Sequence, residues 1–180
     1  MNDDRLPEES AEKRTPAIQA FIERFMQSDA GSNASPESIV IDAFGDGESV
    51  QMADELLALV LAGTKTATCM SAWSWDAEFE TPLVPGMLSV ILDGSKTPRC
   101  VVETISVTRL AYQDVTADFA RAEGEHTPAD LDDDAVLKHW RAGHWAFYAR
   151  TLPLIGREPS EEMPVLCERF EVIYREAPSD

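Results

Sequence analysis

Apolar residues recur at helical spacing in four segments of the chain. This spacing predicts a helix from Pro16 to about Gln27 and a second one that Ser49 caps and Gly63 ends. A short helix is predicted over 117–122, directly after Thr116. The longest is predicted over 131–151, where aspartates in the first turn suit the helix dipole.

Strand signals lie between these helices. Strands are predicted over 39–41, 64–68, 87–92, 99–110 and about 165–174. Asp93 and Gly94 form a hairpin signal between the third and fourth of them. Hairpin strands with helices between them predict an α+β fold with a mainly antiparallel sheet or barrel.

The same patterns predict which side chains face inward. In strand 99–110, alternate residues from Val101 to Arg109 are expected to share one face. In the longest helix the expected apolar face holds Val136, Trp140, Gly143 and Phe147, with Trp140 in the core.

Two further tryptophans, Trp73 and Trp75, lie in a stretch that we predict as a loop. Either tryptophan could stack on a base in a pocket or pack in the core, and the sequence favours neither role.

One domain is expected over residues 16–175. Residues 1–15 are polar and predicted to be a disordered arm, and residues 176–180 a polar tail. The sequence has no apolar run of about 18 residues, so no membrane span is expected. The acidic start lacks the apolar core of a signal peptide, so we expect a cytoplasmic protein.

Charge narrows the possible partners. The chain carries 15 basic and 33 acidic residues, a formal net charge of −18. Because phosphate contacts dominate nucleic-acid affinity, a long duplex is not an expected partner. A small nucleoside, or a short single strand of RNA in a local basic cleft, remains compatible with this charge.

No metal or cofactor is expected. Cys69, Cys100 and Cys167 are odd in number and lack a CxxC pair, which favours reduced, buried thiols. His139 and His144 are five residues apart and would lie off a common helical face.

Two segments are candidates for chemistry. Gly63–Thr68 places a lysine among hydroxyls, but it ends a helix where a phosphate-binding P-loop would open one. Its plain alternative is that Lys65 caps the helix. Glu123 and Glu125 come at the end of a short helix, where the dipole disfavours negative charge, so a carboxylate there often has a partner.

Taken in order, several stretches resemble the ASCH domain family, over about 44–174. They are Phe44–Asp46, Ala53–Thr68, Pro85–Gly86, Phe119–Glu125 and Met163–Phe170. The resemblance implies a PUA-like β-barrel with surrounding helices and a cleft, lined by a GxKxxT segment, that binds RNA or nucleosides. Some members look like amidohydrolases acting on acylated cytidines, and a related group looks like a ribonuclease.

By position in these motifs, the resemblance implies Lys65, Thr68 and Glu123 as catalytic residues. The expected substrate-binding residues are Thr66, Trp73, Arg121 and Glu125. A threonine hydroxyl needs a base to become a nucleophile, and a desolvated lysine can serve. Two physical objections apply: the chain must turn for Lys65 to meet Thr68, and the helix C-terminus favours a protonated lysine. A non-catalytic RNA-binding module and an interaction domain are the alternatives.

Overall fold

The fold is organised around one five-stranded sheet. The computed structural model describes residues 14–47, 49–79, 81–125 and 131–176. Its strands are β1 Val40–Asp42, β2 Ala67–Ser71, β3 Leu88–Leu92, β4 Pro98–Ala111 and β5 Pro164–Arg175. They are ordered β1-β3-β4-β5-β2, with β1 parallel to β3 and every other pair antiparallel. The sheet is an open half-barrel, which confirms the α+β, mainly antiparallel prediction.

Five α-helices surround the sheet in the described part of the chain. They are α1 Pro16–Met26, α2 Val50–Leu61, α3 Ala72–Glu78, α4 Ala117–Glu123 and α5 Asp133–Thr151. The predicted caps are confirmed, because the Ser49 side chain accepts from the Met52 amide and the Thr116 side chain from the Phe119 amide. The four helices predicted from periodicity are present.

The predicted N-terminal arm lies largely outside the described residues, which begin at Arg14. Arg14 donates to the carbonyls of Pro36 and Ile39, at 2.6 and 3.1 Å. The Thr15 side chain caps α1 by accepting from the Ile18 amide. These last two residues of the predicted arm therefore contact the domain.

Two local predictions are wrong around β2. The strand begins at Ala67 and not at Thr64, because the amides of Thr64 and Lys65 both donate to the Leu59 carbonyl and close the end of α2. The stretch that holds Trp73 is helix α3 and not a loop. The Ser71 side chain caps this helix by accepting a hydrogen bond from the Trp73 amide.

The predicted face of the longest helix is also wrong in part. Its buried residues are Val136, Trp140, His144 and Tyr148, whereas Gly143 is exposed. Phe147 packs at the edge of the core. These four residues are spaced four apart and so form one ridge of the helix. His144 is tolerated in this buried ridge because its ring is hydrogen-bonded.

Strand β4 does not keep the predicted alternation. Its register with β5 shifts between Val101 and Val102 and again between Thr104 and Ser106. A bulge of this kind moves the following side chains to the other face. Thr104 is therefore buried, while Ile105 is 45% exposed.

Helices cover the sheet through separate apolar clusters. Helices α4 and α5 pack on β2 and β5, where Trp140 is 2% exposed, as predicted for a core residue. Helix α1 packs on β1 and β3, and α2 packs near Phe170. Cys69, Cys100 and Cys167 are all buried and free, which confirms the expected thiols.

One close backbone approach fixes α4 against the segment that follows α2. Gly124, the C-cap of α4, has a φ of 68°, and a Cβ there would lie 2.6 Å from the Thr64 carbonyl oxygen. Gly63 has a similar φ of 73°, but no atom lies within 4 Å of its hypothetical Cβ. The two glycines share a left-handed backbone and differ in their surroundings.

This difference gives a stability prediction. Gly63→Ala is expected to destabilise the protein by about 1–2 kcal/mol, the strain of a left-handed alanine. Gly124→Ala should lose about 1–3 kcal/mol more, because its methyl group also meets backbone. Urea unfolding of both variants measures the difference, and equal losses would contradict the close approach.

Candidate active site at the C-terminal end of helix α4

Residues 64–66 cross the end of α4 and bring the two candidate segments together. The Thr66 amide donates to the Ala122 carbonyl at 2.8 Å, and the Phe170 amide donates to the Thr66 carbonyl at 3.0 Å. Thr66 thus joins α4 to β5 through its backbone. Its hydroxyl, on an exposed side chain, also approaches the Ala122 carbonyl at 3.4 Å.

The Lys65 side chain is buried beneath this crossing, with 1% of it exposed. Its Nζ lies 3.5 Å from Glu123 Oε2 and also forms an ion pair with Glu125. The Phe44 ring centroid lies 5.6 Å from the same ammonium. A buried ammonium needs nearby negative charge of this kind, because burying an unpaired charge carries a large desolvation penalty.

Glu123, at the end of α4, is held in place by two side chains of α5. Trp140 Nε1 donates to its Oε1 at 3.3 Å, and His144 Nε2 lies 3.2 Å from its Oε2. Burial opposes the charged form, but Lys65 and His144 outweigh it and lower the pKa of Glu123 to about 2. The carboxylate predicted to need a partner has three.

Glu125 differs from Glu123 in its exposure. Its side chain is 17% exposed, whereas that of Glu123 is 1% exposed. Both carboxylates contact the Lys65 ammonium, but Glu125 stands closer to solvent. Of the two glutamates, Glu125 is the more exposed.

Thr68 lies on β2, directly opposite Glu168 on β5. Directly opposed residues of antiparallel strands project to the same face. Glu168 is 8% exposed and accepts from the Thr104 hydroxyl at 2.5 Å. Burial raises the pKa of Glu168 to about 7, and the negative charge of Asp42 adds to this, while Thr104 and Lys65 oppose it.

The other two predicted substrate-binding residues have partners within the protein. Arg121 donates to the Leu131 carbonyl and pairs with Asp133, both at 2.8 Å, and so holds the start of α5. The guanidinium carbon of Arg157 lies 5.0 Å from the Trp73 ring centroid. Neither contact joins these residues to the Lys65 cluster.

A cleft of about 600 Å³ opens beside this cluster, between the end of α2 and the distal half of β5. Lys65 and Thr66 contribute to its wall. Its other lining residues are Val60–Gly63 and Phe170–Arg175. Of the predicted site residues within the described chain, only these two line it. The cleft therefore adjoins the charged cluster and does not enclose it.

Three residues of this region were not predicted as site residues. His144 follows Trp140 by four positions, and that spacing was the available signal. Glu168 directly follows the buried residues Val165–Cys167 of β5, and a buried carboxylate is uncommon. Phe44 belongs to a segment singled out only because it resembles the ASCH domain family. The sequence pattern around it did not predict that it lies beside Lys65.

The structure also bears on metals and membranes. Among the described residues, no group of three or more His, Cys, Asp or Glu side chains is arranged to hold a metal ion. No helix in the described ranges has the length and apolar character needed to span a bilayer. The absence of a metal and the cytoplasmic location stay predictions.

The charge of Glu123 gives a pH prediction. The pKa of Glu123 in the folded protein lies below its ordinary value of 4.5, so its stabilisation is present above pH 4.5 and is lost as pH falls toward 2. Glu123→Gln should therefore reduce the free energy of unfolding by about 3 kcal/mol at pH 7. The difference from wild type should shrink between pH 4.5 and 2.

Urea unfolding across this pH range measures it, with the exposed Glu162→Gln as the control. A difference that stays constant with pH would show that Glu123 does not act through its charge.

Comparisons with known proteins agree with this architecture. The family model for the ASCH domain matches residues 41–174. An ASCH domain from Lactobacillus crispatus JV V101 is 29% identical, with a TM-score of 0.73 over 87% of this chain and 94% of that one. A protein from Enterococcus faecalis V583, placed in the DUF984 family model, is 28% identical, with a TM-score of 0.72 over 87% and 88%.

A search of curated proteins finds no match. The family match spans most of the chain, and both structures share its PUA-like half-barrel. This chain belongs to the ASCH domain family.

Proposed function

We propose that the protein binds a neutral nucleoside that carries an amide, of the N-acylated cytidine type, and hydrolyses that amide. The observation that carries this proposal is the buried Lys65 ammonium, held between Glu123 and Glu125 beside the strand that bears Thr68. A fixed cation is suited to stabilising the oxyanion of acyl transfer.

The local charges favour a ligand without phosphate. One ammonium faces two carboxylates in the cluster, so these three side chains carry net negative charge. Nearby cations are engaged as well, because Arg121 pairs with Asp133 and Arg169 with Asp118. A phosphodiester chain would meet repulsion here, in addition to that of the whole chain's −18 charge.

We assign each residue a role from its place in the motif and from its contacts. Thr68 is the nucleophile, and Lys65 stabilises negative charge on the carbonyl oxygen of the substrate. Glu123, enclosed by Trp140 and His144, holds the lysine in place.

Two groups that are more exposed than Lys65 and Glu123 would contact the ligand. The Glu125 carboxylate would accept hydrogen bonds from it. The half-buried Phe44 ring offers an aromatic surface beside Lys65 on which a base can stack.

The direct test is hydrolysis of N4-acetylcytidine by the purified protein. Thr68→Val keeps the shape of the side chain and removes the nucleophile, so kcat should fall by at least about 100-fold. Thr108→Val, an exposed position on β4, is the matched control and should be unchanged.

Lys65→Ala should also abolish turnover, but it removes one of the three partners of the buried Glu123, so circular dichroism must confirm that this variant folds. Lys138→Ala, at an exposed lysine on α5, removes the same charge as a control.

Other outcomes would identify the alternatives. Binding of single-stranded RNA without turnover, weakening steeply with salt, would indicate an RNA-binding module. Cleavage of the RNA would indicate a ribonuclease. Binding of neither RNA nor nucleoside would leave an interaction domain in which Lys65 has a structural role.

A further inference from the structure

We propose that Glu168 is a further acid–base residue of this site, taking the proton of the Thr68 hydroxyl and returning it to the leaving nitrogen. This inference rests on the proposed hydrolysis and assigns a role that the reaction requires. It starts from the register of two strands and the hydrogen bond of one carboxyl group.

The register places the two residues opposite each other on neighbouring strands. Thr68 and Glu168 are directly opposed across β2 and β5, on the face that Thr104 of β4 also shares through its hydrogen bond to Glu168. Opposed residues of antiparallel strands have Cα atoms about 4.5–5.5 Å apart. Thr104 donates to Oε1, and in the proposed step Oε2 receives the proton of the Thr68 hydroxyl.

The surroundings of Glu168 suit a group that both accepts and donates a proton. The charged groups acting on it are Asp42, from β1, and Lys65, from the segment before β2, and they act in opposite directions. Burial is the largest influence and raises the pKa of Glu168 to about 7. Near neutral pH the carboxyl is therefore divided between its two forms, which is the condition that general acid–base catalysis favours.

Lys65 is less suited to this task. Its ammonium contacts two carboxylates, and an ammonium must lose a proton before it can accept one. The two roles therefore separate, with Lys65 supplying charge and Glu168 moving the proton.

The proposed steps balance. The Thr68 oxygen bonds to the amide carbonyl carbon while its proton moves to the Glu168 carboxylate. The carbon–nitrogen bond then breaks, and the Glu168 carboxylic acid gives that proton to the departing amine, leaving an acyl ester on Thr68. Water attacks the ester with Glu168 again as base, which releases the carboxylic acid and restores both side chains.

The test is the pH profile of kcat/KM for N4-acetylcytidine in wild type, Glu168→Gln, Glu168→Asp and Thr104→Val. Wild-type activity should fall below pH about 7, where Glu168 becomes protonated. Glu168→Gln should lose about 100-fold or more in kcat and lose this acidic limb, while Glu168→Asp should retain it. Thr104→Val should move the limb to higher pH, because its hydroxyl favours the charged carboxylate.

Glu162→Gln, at an exposed glutamate just before β5, is the control and should keep the wild-type profile. An active Glu168→Gln protein with an unchanged acidic limb would overturn the role of Glu168 and leave the hydrolase proposal intact. Absence of turnover in wild type would instead overturn the hydrolase proposal.

A carbon-13 NMR titration of the glutamate carboxyl groups tests the Thr68–Glu168 pair without turnover. A Glu168 midpoint near 7 that moves in Thr68→Val supports the pair. A midpoint near 4.5, or one that Thr68→Val leaves in place, would overturn it.

Discussion

The buried ion pair between Lys65 and Glu123 is the interaction on which the site depends. Lys65 follows α2, and Glu123 ends α4, so the pair joins segments 58 residues apart. Two backbone contacts hold these segments in place: the Thr66 amide donates to the Ala122 carbonyl, and Gly124 packs against the Thr64 carbonyl. Burying a charge is unfavourable without a partner, so this docking and the ion pair require each other.

The same constraint limits which ligands can bind beside the charged cluster. Glu123 is committed to Lys65, Trp140 and His144, which leaves little of its charge for a ligand. The lysine is likewise neutralised from two sides. A neutral ligand with polar edges and an aromatic ring suits this arrangement better than a phosphate chain does, and the acidic surface acts in the same direction.

Local sequence signals predicted the elements well, and long-range contacts account for what they missed. Ser49 and Thr116 mark helix starts because a cap depends on the next three residues. The unfavourable place of Glu123 at a helix end predicted a partner, but only the docking of α5 supplies His144. Glu168 could not be paired with Thr68 from sequence, since strand register depends on contacts between β2 and β5.

A double-mutant cycle between Lys65 and Glu123 tests the central claim most directly. Lys65→Met, Glu123→Gln and the double variant would be compared with wild type by urea unfolding at pH 7. Each single variant removes one charged partner from a buried charged group, so we expect the double variant to be more stable than additivity allows, by about 1–3 kcal/mol. Additivity within about 0.5 kcal/mol would contradict the ion pair as the interaction that organises the site.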